Sequence, residues 1–338
     1  MAQKYISLLK QTFSEWSEDG APRLGAALSY YTVFSLAPLL VLVTAVAAVF
    51  FGQEAVSGHL DETLRGMMGQ AGAKAVEDMV ASAARQDQGI VATIFGIVLL
   101  LLGASGVFGE LQSALNTIWE VKPKPNQGIW AIIRQRFFSI TMVMGTCFLL
   151  LVSLVVSTAL TAAGNYLAGA LPGGEALWTV VNAVISFGIV ALMFALIFKY
   201  VPDVKSAWSD VWIGAVFTAA LFVLGKWAIA MYLGRTSVSS SYGAAGSLAI
   251  VLLWVYYVAQ IVFFGAEFTQ VYANQYGSRV VPAENAQPLT EEKREEAGIP
   301  HERPQEAAAQ RSGRAAAASK RTESRVEPDD RKKTPTEN

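Results

Sequence analysis

The sequence contains a single cysteine, Cys147, and only two histidines, His59 and His301, in 338 residues. One cysteine cannot form an intrachain disulfide, and the shortage of cysteine and histidine argues against most zinc sites and against thiol or zinc enzymes. The GxxxxGK[ST] pattern of ATP-binding loops is also missing. We therefore predict no catalytic residue, no metal site and no cofactor.

Charge is scarce as well, and it is unevenly distributed. Only 16% of the residues are charged, against about 25% in ordinary soluble domains, and the mean hydropathy is +0.38. Residues 273–338 hold 12 of the 26 Lys and Arg residues and 12 of the 27 Asp and Glu residues. The net charge of −1 is thus an average over two unlike regions, and it gives no indication of a nucleic-acid partner.

Long apolar runs occupy most of the chain before residue 273. A bilayer core about 30 Å thick is crossed by about 20 apolar residues in a helix. The runs predict an all-α, polytopic membrane protein with a bundle of six transmembrane helices. The predicted spans are 25–51, 89–108, 138–164, 177–199, 211–233 and 247–271.

Positive charge predicts the orientation, because short loops rich in Lys and Arg stay in the cytoplasm. With the N-terminus inside, 21 of the 26 Lys and Arg residues lie on the cytoplasmic side and four outside. Both termini are then cytoplasmic. The predicted organisation is a cytoplasmic amphipathic helix (1–23), the membrane domain (24–272) with an external helical loop (52–87), and a disordered cytoplasmic tail (273–338).

Two of these segments have alternative interpretations. In the N-terminal helix, Tyr5, Leu9 and Phe13 recur at helical spacing, so the helix either lies on the inner membrane surface or packs against the cytoplasmic ends of the bundle. The tail is either a plain solvated segment or a segment whose basic groups contact anionic lipid. Nothing in the sequence specifies an oligomeric state.

Three sequence stretches resemble a known family. They are LGAALSYYTVFSLAPLL at 24–40, GELQSALNTIWEV at 109–121 and YGAAGSLAIVLLWVYYVAQIVFFGAEFTQVY at 242–272. Together with six spans, they are similar to the YihY/BrkB family of bacterial inner-membrane proteins, over residues 5–275. The resemblance implies a multi-pass protein of the inner membrane. Members carry a transferred ribonuclease BN label, and their proposed roles include envelope lipid export and serum resistance.

Several charged side chains come level near the predicted inner ends of the helices. One interpretation of this inner polar layer is an ion-pair collar at the membrane boundary. The other is an inward-opening cavity whose arginines bind a phosphate or lipid headgroup through bidentate hydrogen bonds. The candidate residues are Glu267, Glu110, Asp210, Arg134, Arg136, Lys199 and Arg23.

Three further features fall inside the predicted spans. Lys226 is an intramembrane charge, and it either meets aromatic rings of the sixth span or extends to the outer boundary. Pro38 removes a helical hydrogen bond and predicts a kink, as a hinge or as a static bend. Small residues in the second span form a stripe suited to close helix packing. Its glycines are Gly89, Gly96, Gly103 and Gly106.

The predicted architecture fits transport or export of a lipid or another amphiphilic envelope component, with membrane lipids as partners. A membrane scaffold without transport activity is the alternative. A ribonuclease fits poorly, because RNA cleavage needs metal-binding carboxylates or a histidine acid–base pair on a cytoplasmic surface. The only histidine predicted to be cytoplasmic is His301, in the tail.

Overall fold

A computed structural model of the protein describes residues 2–84, 106–124, 174–235, 238–290 and residue 294. The chain divides into two units, Met1–Leu289 and Thr290–Asn338. Several predictions lie outside the described residues. They are the third span, nearly all of the second span and of the tail beyond residue 290, the glycines Gly89, Gly96 and Gly103, and the arginines Arg134 and Arg136.

The described chain is mainly helical. Its helices are α1 (Ala2–Glu18), α2 (Ala21–Phe51), α3 (Gln53–Ala84), α4 (106–118), α5 (Gly174–Tyr200), α6 (Trp208–Arg235) and α7 (Val238–Gln275). The first predicted span lies in α2, and the fourth, fifth and sixth lie in α5, α6 and α7.

Three of these helices are long and apolar enough to cross a membrane. They are Trp178–Tyr200, Trp208–Ile229 and Leu248–Gln275, with mean hydropathies of 2.6, 1.7 and 2.2. They lie at the positions of the last three predicted spans. Among the described residues the structure therefore supports a helical membrane protein, while the count of six spans stays a prediction.

Two glycines in the left-handed region redirect the chain. Gly20 (φ 64°) separates α1 from α2, and Gly69 (φ 74°) interrupts α3. In a straight helix the side chains of Asp61 and Glu77 would be about 24 Å apart, yet their carboxyl groups lie within hydrogen-bonding reach of each other. The two halves of α3 therefore fold back on each other at Gly69. They lie within the loop 52–87, whose external position stays a prediction.

Helix α7 is the central element, since α1, α2, α3 and α6 all pack against it. One core joins aromatic side chains of α5, α6 and α7 with the end of α4, through Phe198, Phe263 and Trp119 among others. A second core joins the folded α3 to α2, α6 and α7, and includes Met68 and Trp254.

Helices α6 and α7 approach each other through a reciprocal pair of glycines and threonines. A Cβ atom at Gly214 of α6 would overlap Thr269 of α7, and one at Gly265 of α7 would overlap Thr218 of α6. Each threonine hydroxyl donates to a carbonyl of its own helix, at 2.7 Å for Thr218 and 2.6 Å for Thr269. We call these four residues the threonine–glycine seam.

The N-terminal helix divides its apolar residues between two surroundings. Leu8 is buried and packs with Phe268 and Val271 of α7, whereas Tyr5 and Phe13 are 60% and 61% exposed. One face of α1 therefore packs against the bundle, as one of the two interpretations predicts. The other face leaves an apolar stripe uncovered by the described chain, and the prediction that it contacts lipid remains a prediction.

Four short strands close one end of the described helices, where an all-α fold predicts none. β1 (Val121–Pro123) pairs antiparallel with β4 (Ala286–Pro288), and β2 (Val204–Lys205) pairs antiparallel with β3 (Val281–Pro282). The predicted start of a disordered tail at residue 273 is therefore too early. Helix α7 continues to Gln275, and the next residues to Pro288 are held by these pairings.

Candidate functional site

The candidate site centres on Glu267, whose side chain is only 1% exposed although α7 is apolar. Residues two apart on a helix point about 200° from each other, so Glu267 faces away from Thr269 and the seam with α6. Gln260, two turns earlier, shares the face of Glu267 and donates from Nε2 to the Ala21 carbonyl at 3.3 Å. This face of α7 is therefore turned toward the junction of α1 and α2.

A second buried carboxyl group meets Glu267 there. Asp19, at the end of α1, is 2% exposed, and its carboxyl group lies within hydrogen-bonding reach of Glu267. Two more acids, Glu15 and Glu120, lie close enough to act on Glu267 through their charge. The Oε1 atom of Glu267 is buried and has no hydrogen-bond partner among the residues that the structure describes. We call Asp19 and Glu267 the carboxyl pair.

Local backbone geometry places the acids around this pair. The Asp19 amide donates to the Glu15 carbonyl at 2.8 Å, which keeps both acids in the last turn of α1 before the left-handed Gly20. Glu120 has a positive φ of 54°, a conformation that costs a non-glycine residue about 1–2 kcal/mol. Its carbonyl accepts from the Leu289 amide at 2.8 Å. The strained residue thus joins the end of α4 to the strand segment.

The described members of the predicted inner polar layer have separate local partners. Asp210 is buried and accepts from the Ser278 amide (2.9 Å) and hydroxyl (2.8 Å), so it fixes the turn after α7. Lys199 donates to the Ser206 carbonyl and lies 5.8 Å from the centroid of the Trp208 ring, so it closes the turn between α5 and α6. Both residues make local structural contacts.

The remaining described members of the layer have separate surroundings. Arg23 is exposed beside Gly20. Glu110 is half-buried, just beyond the predicted end of the second span, and burial raises the pKa of its carboxyl group. Whether Arg134 and Arg136 complete a headgroup site stays a prediction, because both lie outside the described residues.

Sequence reasoning missed an acid that organises the same end of the molecule. Asp203 follows α5 and accepts side-chain hydrogen bonds from Asn116 of α4 (2.8 Å), Asn285 of the strand segment (2.9 Å) and Gln112 (3.3 Å). Its own amide donates to the Asn116 side chain at 2.8 Å. One carboxylate therefore joins three parts of the chain that are far apart in sequence.

The three features predicted inside the spans are only partly described. Gly106 packs against Tyr31 of α2, because a Cβ there would lie 3.2 Å from the ring. Helix α2 continues past Pro38 to Phe51, so whether Pro38 is a hinge or a bend stays open. The turn that carries Lys226 meets α7 where Gly225 contacts Tyr257, and no aromatic contact of Lys226 occurs within the described ranges.

The acids of α3 form a separate, exposed group. A hydrogen bond from Arg65 lowers the pKa of Asp61, and the hydrogen bond with Asp61 raises the pKa of Glu77. Within the part of the chain that the structure describes, no three His, Cys, Asp or Glu residues converge as metal ligands. These acids therefore interact with each other and with Arg65.

The apolar helices, the small-residue packing and the buried carboxyl pair define a polytopic helical membrane protein. Comparison with known proteins gives its family: residues 12–290 match the family described as Virulence factor BrkB. The chain belongs to that family, which confirms the resemblance found in the sequence.

Curated relatives agree with this assignment. A UPF0761 membrane protein of Methylibium petroleiphilum is 30% identical, over 78% of this chain and 61% of its own length. One from Albidiferax ferrireducens is 27% identical over 74% and 58%, and one from Pseudomonas aeruginosa is 29% identical over 73% and 58%. The chain thus spans about three fifths of the length of these relatives. No solved structure matches.

Proposed function

We propose that this protein moves a lipid or another amphiphilic envelope component across the bacterial inner membrane. The observation that carries the proposal is the carboxyl pair, in which Glu267 is buried in a helix apolar enough to span a membrane. Ionisable groups inside membrane helices are costly, and they commonly mark substrate pathways, ion pathways or proton relays.

The distribution of apolar surface supports an amphiphilic substrate. Large apolar side chains on the predicted spans remain exposed in the described structure, among them Trp227 and Leu224 of α6 and Phe34 of α2. A substrate with an acyl chain can follow such surfaces through lipid, while its headgroup requires a polar path. Glu267 and Gln260, on the face of α7 turned toward α1 and α2, supply polar groups at one end of that path.

Reconstitution tests this function directly. The full chain is placed in vesicles of phosphatidylethanolamine and phosphatidylglycerol that contain a trace of fluorescent phosphatidylglycerol, and dithionite is added to bleach the outer leaflet. We expect bleaching to continue beyond the outer-leaflet fraction, because tracer is delivered from the inner leaflet. Vesicles without protein should stop at that fraction.

Matched variants connect the movement to the site. Glu267→Gln preserves size and should slow the second phase at least several-fold, whereas Glu62→Gln changes an exposed acid of α3 and should leave it unchanged. If wild-type protein leaves phosphatidylglycerol and phosphatidylethanolamine tracers as protected as empty vesicles do, the proposal fails, and a scaffold role becomes the better interpretation.

A further inference from the structure

We propose that Glu267 and Asp19 form a proton-binding site. One shared proton holds residues 19–21, which we call the α1–α2 corner, against α7, and loss of that proton releases the corner. The inference rests on the proposed function in one respect only: it names the proton as the ion that gates the movement of the amphiphile. The binding site itself is argued from the geometry of the pair.

Hydrogen-bond chemistry requires the proton. An ionised carboxylate has only acceptor atoms, so two carboxyl groups bond to each other only when one of them carries a hydrogen. Asp19 lies within that reach of Glu267, and both side chains are almost completely buried. Two ionised groups at this distance would repel each other with little water to screen them. The buried geometry is therefore that of a pair with one proton.

The surrounding charges favour retention of that proton. Among the described residues, Glu15 of α1 and Glu120 of the turn after α4 act on Glu267 through their charge, and both are acids. The arginine of α2 nearest to the corner, Arg23, is exposed, and α6 lies on the opposite side of α7. Added negative charge in this neighbourhood makes a second ionised carboxylate still less favourable.

The unpartnered oxygen of Glu267 distinguishes this pair from a purely structural contact. Buried polar atoms are almost always hydrogen-bonded, and an unsatisfied one costs about 1–3 kcal/mol. Within the described part of the chain, Glu267 Oε1 has no hydrogen-bond partner, and neither does Gln260 Oε1 on the same face. These two acceptors provide positions where a proton or its carrier water can be received as the pair changes its protonation.

The corner is built so that it can move when the proton leaves. Asp19 is followed directly by Gly20, which holds the left-handed turn between α1 and α2. Against α2, the same face of α7 has the Gln260 bond to Ala21 at 3.3 Å, near the long end of hydrogen-bond distances. Repulsion between two carboxylates would act on this corner, while the threonine–glycine seam holds α7 on its other side.

Infrared spectroscopy of the purified full chain tests the proton directly. A protonated carboxylic acid has a C=O stretching band separate from carboxylate bands, and we expect one such equivalent per chain at neutral pH that disappears as the pH rises. In Glu267→Gln the amide can donate to Asp19 without any proton, so this equivalent should be lost. Glu62→Gln should retain it. Glu110→Gln and Glu77→Gln subtract any contribution from the half-buried Glu110 and from the exposed Asp61–Glu77 pair.

The outcomes separate this proposal from the proposed function. If the wild-type protein has no protonated carboxyl at neutral pH, or if folded Glu267→Gln retains the whole band, the proton site is wrong even where lipid moves. If the band behaves as expected but no lipid moves, the site stands and the transport proposal fails. Should Glu267→Gln not fold, the wild-type titration decides: its band must disappear together with an increase in amide exchange at the α1–α2 corner.

Discussion

The two faces of α7 are built in opposite ways. Toward α6, Gly265 and Thr269 interlock with Thr218 and Gly214, and both threonine hydroxyls are satisfied by carbonyls of their own helices. Toward α1 and α2, the Oε1 atoms of Glu267 and Gln260 are buried without a hydrogen-bond partner among the described residues. Close, saturated packing is typical of a static interface between membrane helices. We expect the conformational change of the protein to occur at the face whose buried polar atoms are unsatisfied.

The seam should give the largest loss of stability. Gly265→Ala places a methyl group on the buried Thr218, and overpacking of this kind costs about 1–3 kcal/mol. Thermal unfolding in detergent should show a clearly lower midpoint. The matched control is Gly188→Ala on α5, where an added Cβ would meet no described atom within 4 Å apart from its own helix backbone and alanine is the better helix former. If both variants had the same unfolding midpoint, the close packing at the seam would not contribute to stability.

The strand end should give the next largest effect. Asp203→Ala removes three side-chain acceptor contacts at once, and hydrogen bonds to charged groups are worth about 1.5–3 kcal/mol each, with poor additivity. We expect destabilisation of about 2 kcal/mol and faster proteolysis within residues 276–290. Glu284→Ala breaks an exposed pair with Lys205 and should change stability and proteolysis little. Equally fast proteolysis of both variants would contradict the role given to Asp203.

A smaller loss is expected at the α1–α2 corner. Gly20→Ala forces alanine into a left-handed conformation and should cost about 1–2 kcal/mol, measured as a shift in the unfolding midpoint. Gly20→Asn should cost less, because asparagine tolerates that conformation. Gly58→Ala, a helical position with open space around it, controls for the added methyl group. If Gly20→Ala and Gly20→Asn lowered the unfolding midpoint equally, the left-handed conformation of residue 20 would not explain the loss of stability.

The smallest effect is expected in the exposed acids of α3. Folding raises the pKa of Glu77 through its hydrogen bond with Asp61. The folded chain therefore holds that proton more tightly, and a little stability is lost as the pH rises through this pKa. The lowered pKa of Asp61 acts in the opposite direction, as the pH falls. Glu77→Gln should leave the midpoint at neutral pH within error, and a large shift would show that these acids do more than face solvent.

The sequence alone predicted the helices well, because hydropathy and periodicity are local properties. Helices α5, α6 and α7 contain the apolar runs of the last three predicted spans, and the folded α3 lies inside the predicted helical loop. The strand pairings were missed, because Val121–Pro123 and Ala286–Pro288 are too short to give an alternating pattern. These two strands, which pair with each other, are also more than 160 residues apart in the sequence.

The site was predicted in part. Glu267 stood out, because a charge inside an apolar helix is visible in any sequence. Its neighbours were predicted from depth along the helix axis alone, which placed it with Asp210 and Lys199. Depth leaves the direction around the axis undetermined, and α7 turns Glu267 toward Asp19 instead. Asp203 was missed because an acid directly after a span looks like an ordinary solvated end.

Amide hydrogen exchange across a pH series tests the contrast between the two faces most directly. After correction for the intrinsic pH dependence, exchange in residues 15–28 of the wild-type protein should accelerate as the pH rises, while residues 214–225 at the seam stay protected. Glu267→Gln should exchange in residues 15–28 without that pH dependence. If both regions open together, or if the corner stays equally protected at every pH while the protein remains folded, the account of α7 as one fixed and one proton-controlled face is wrong.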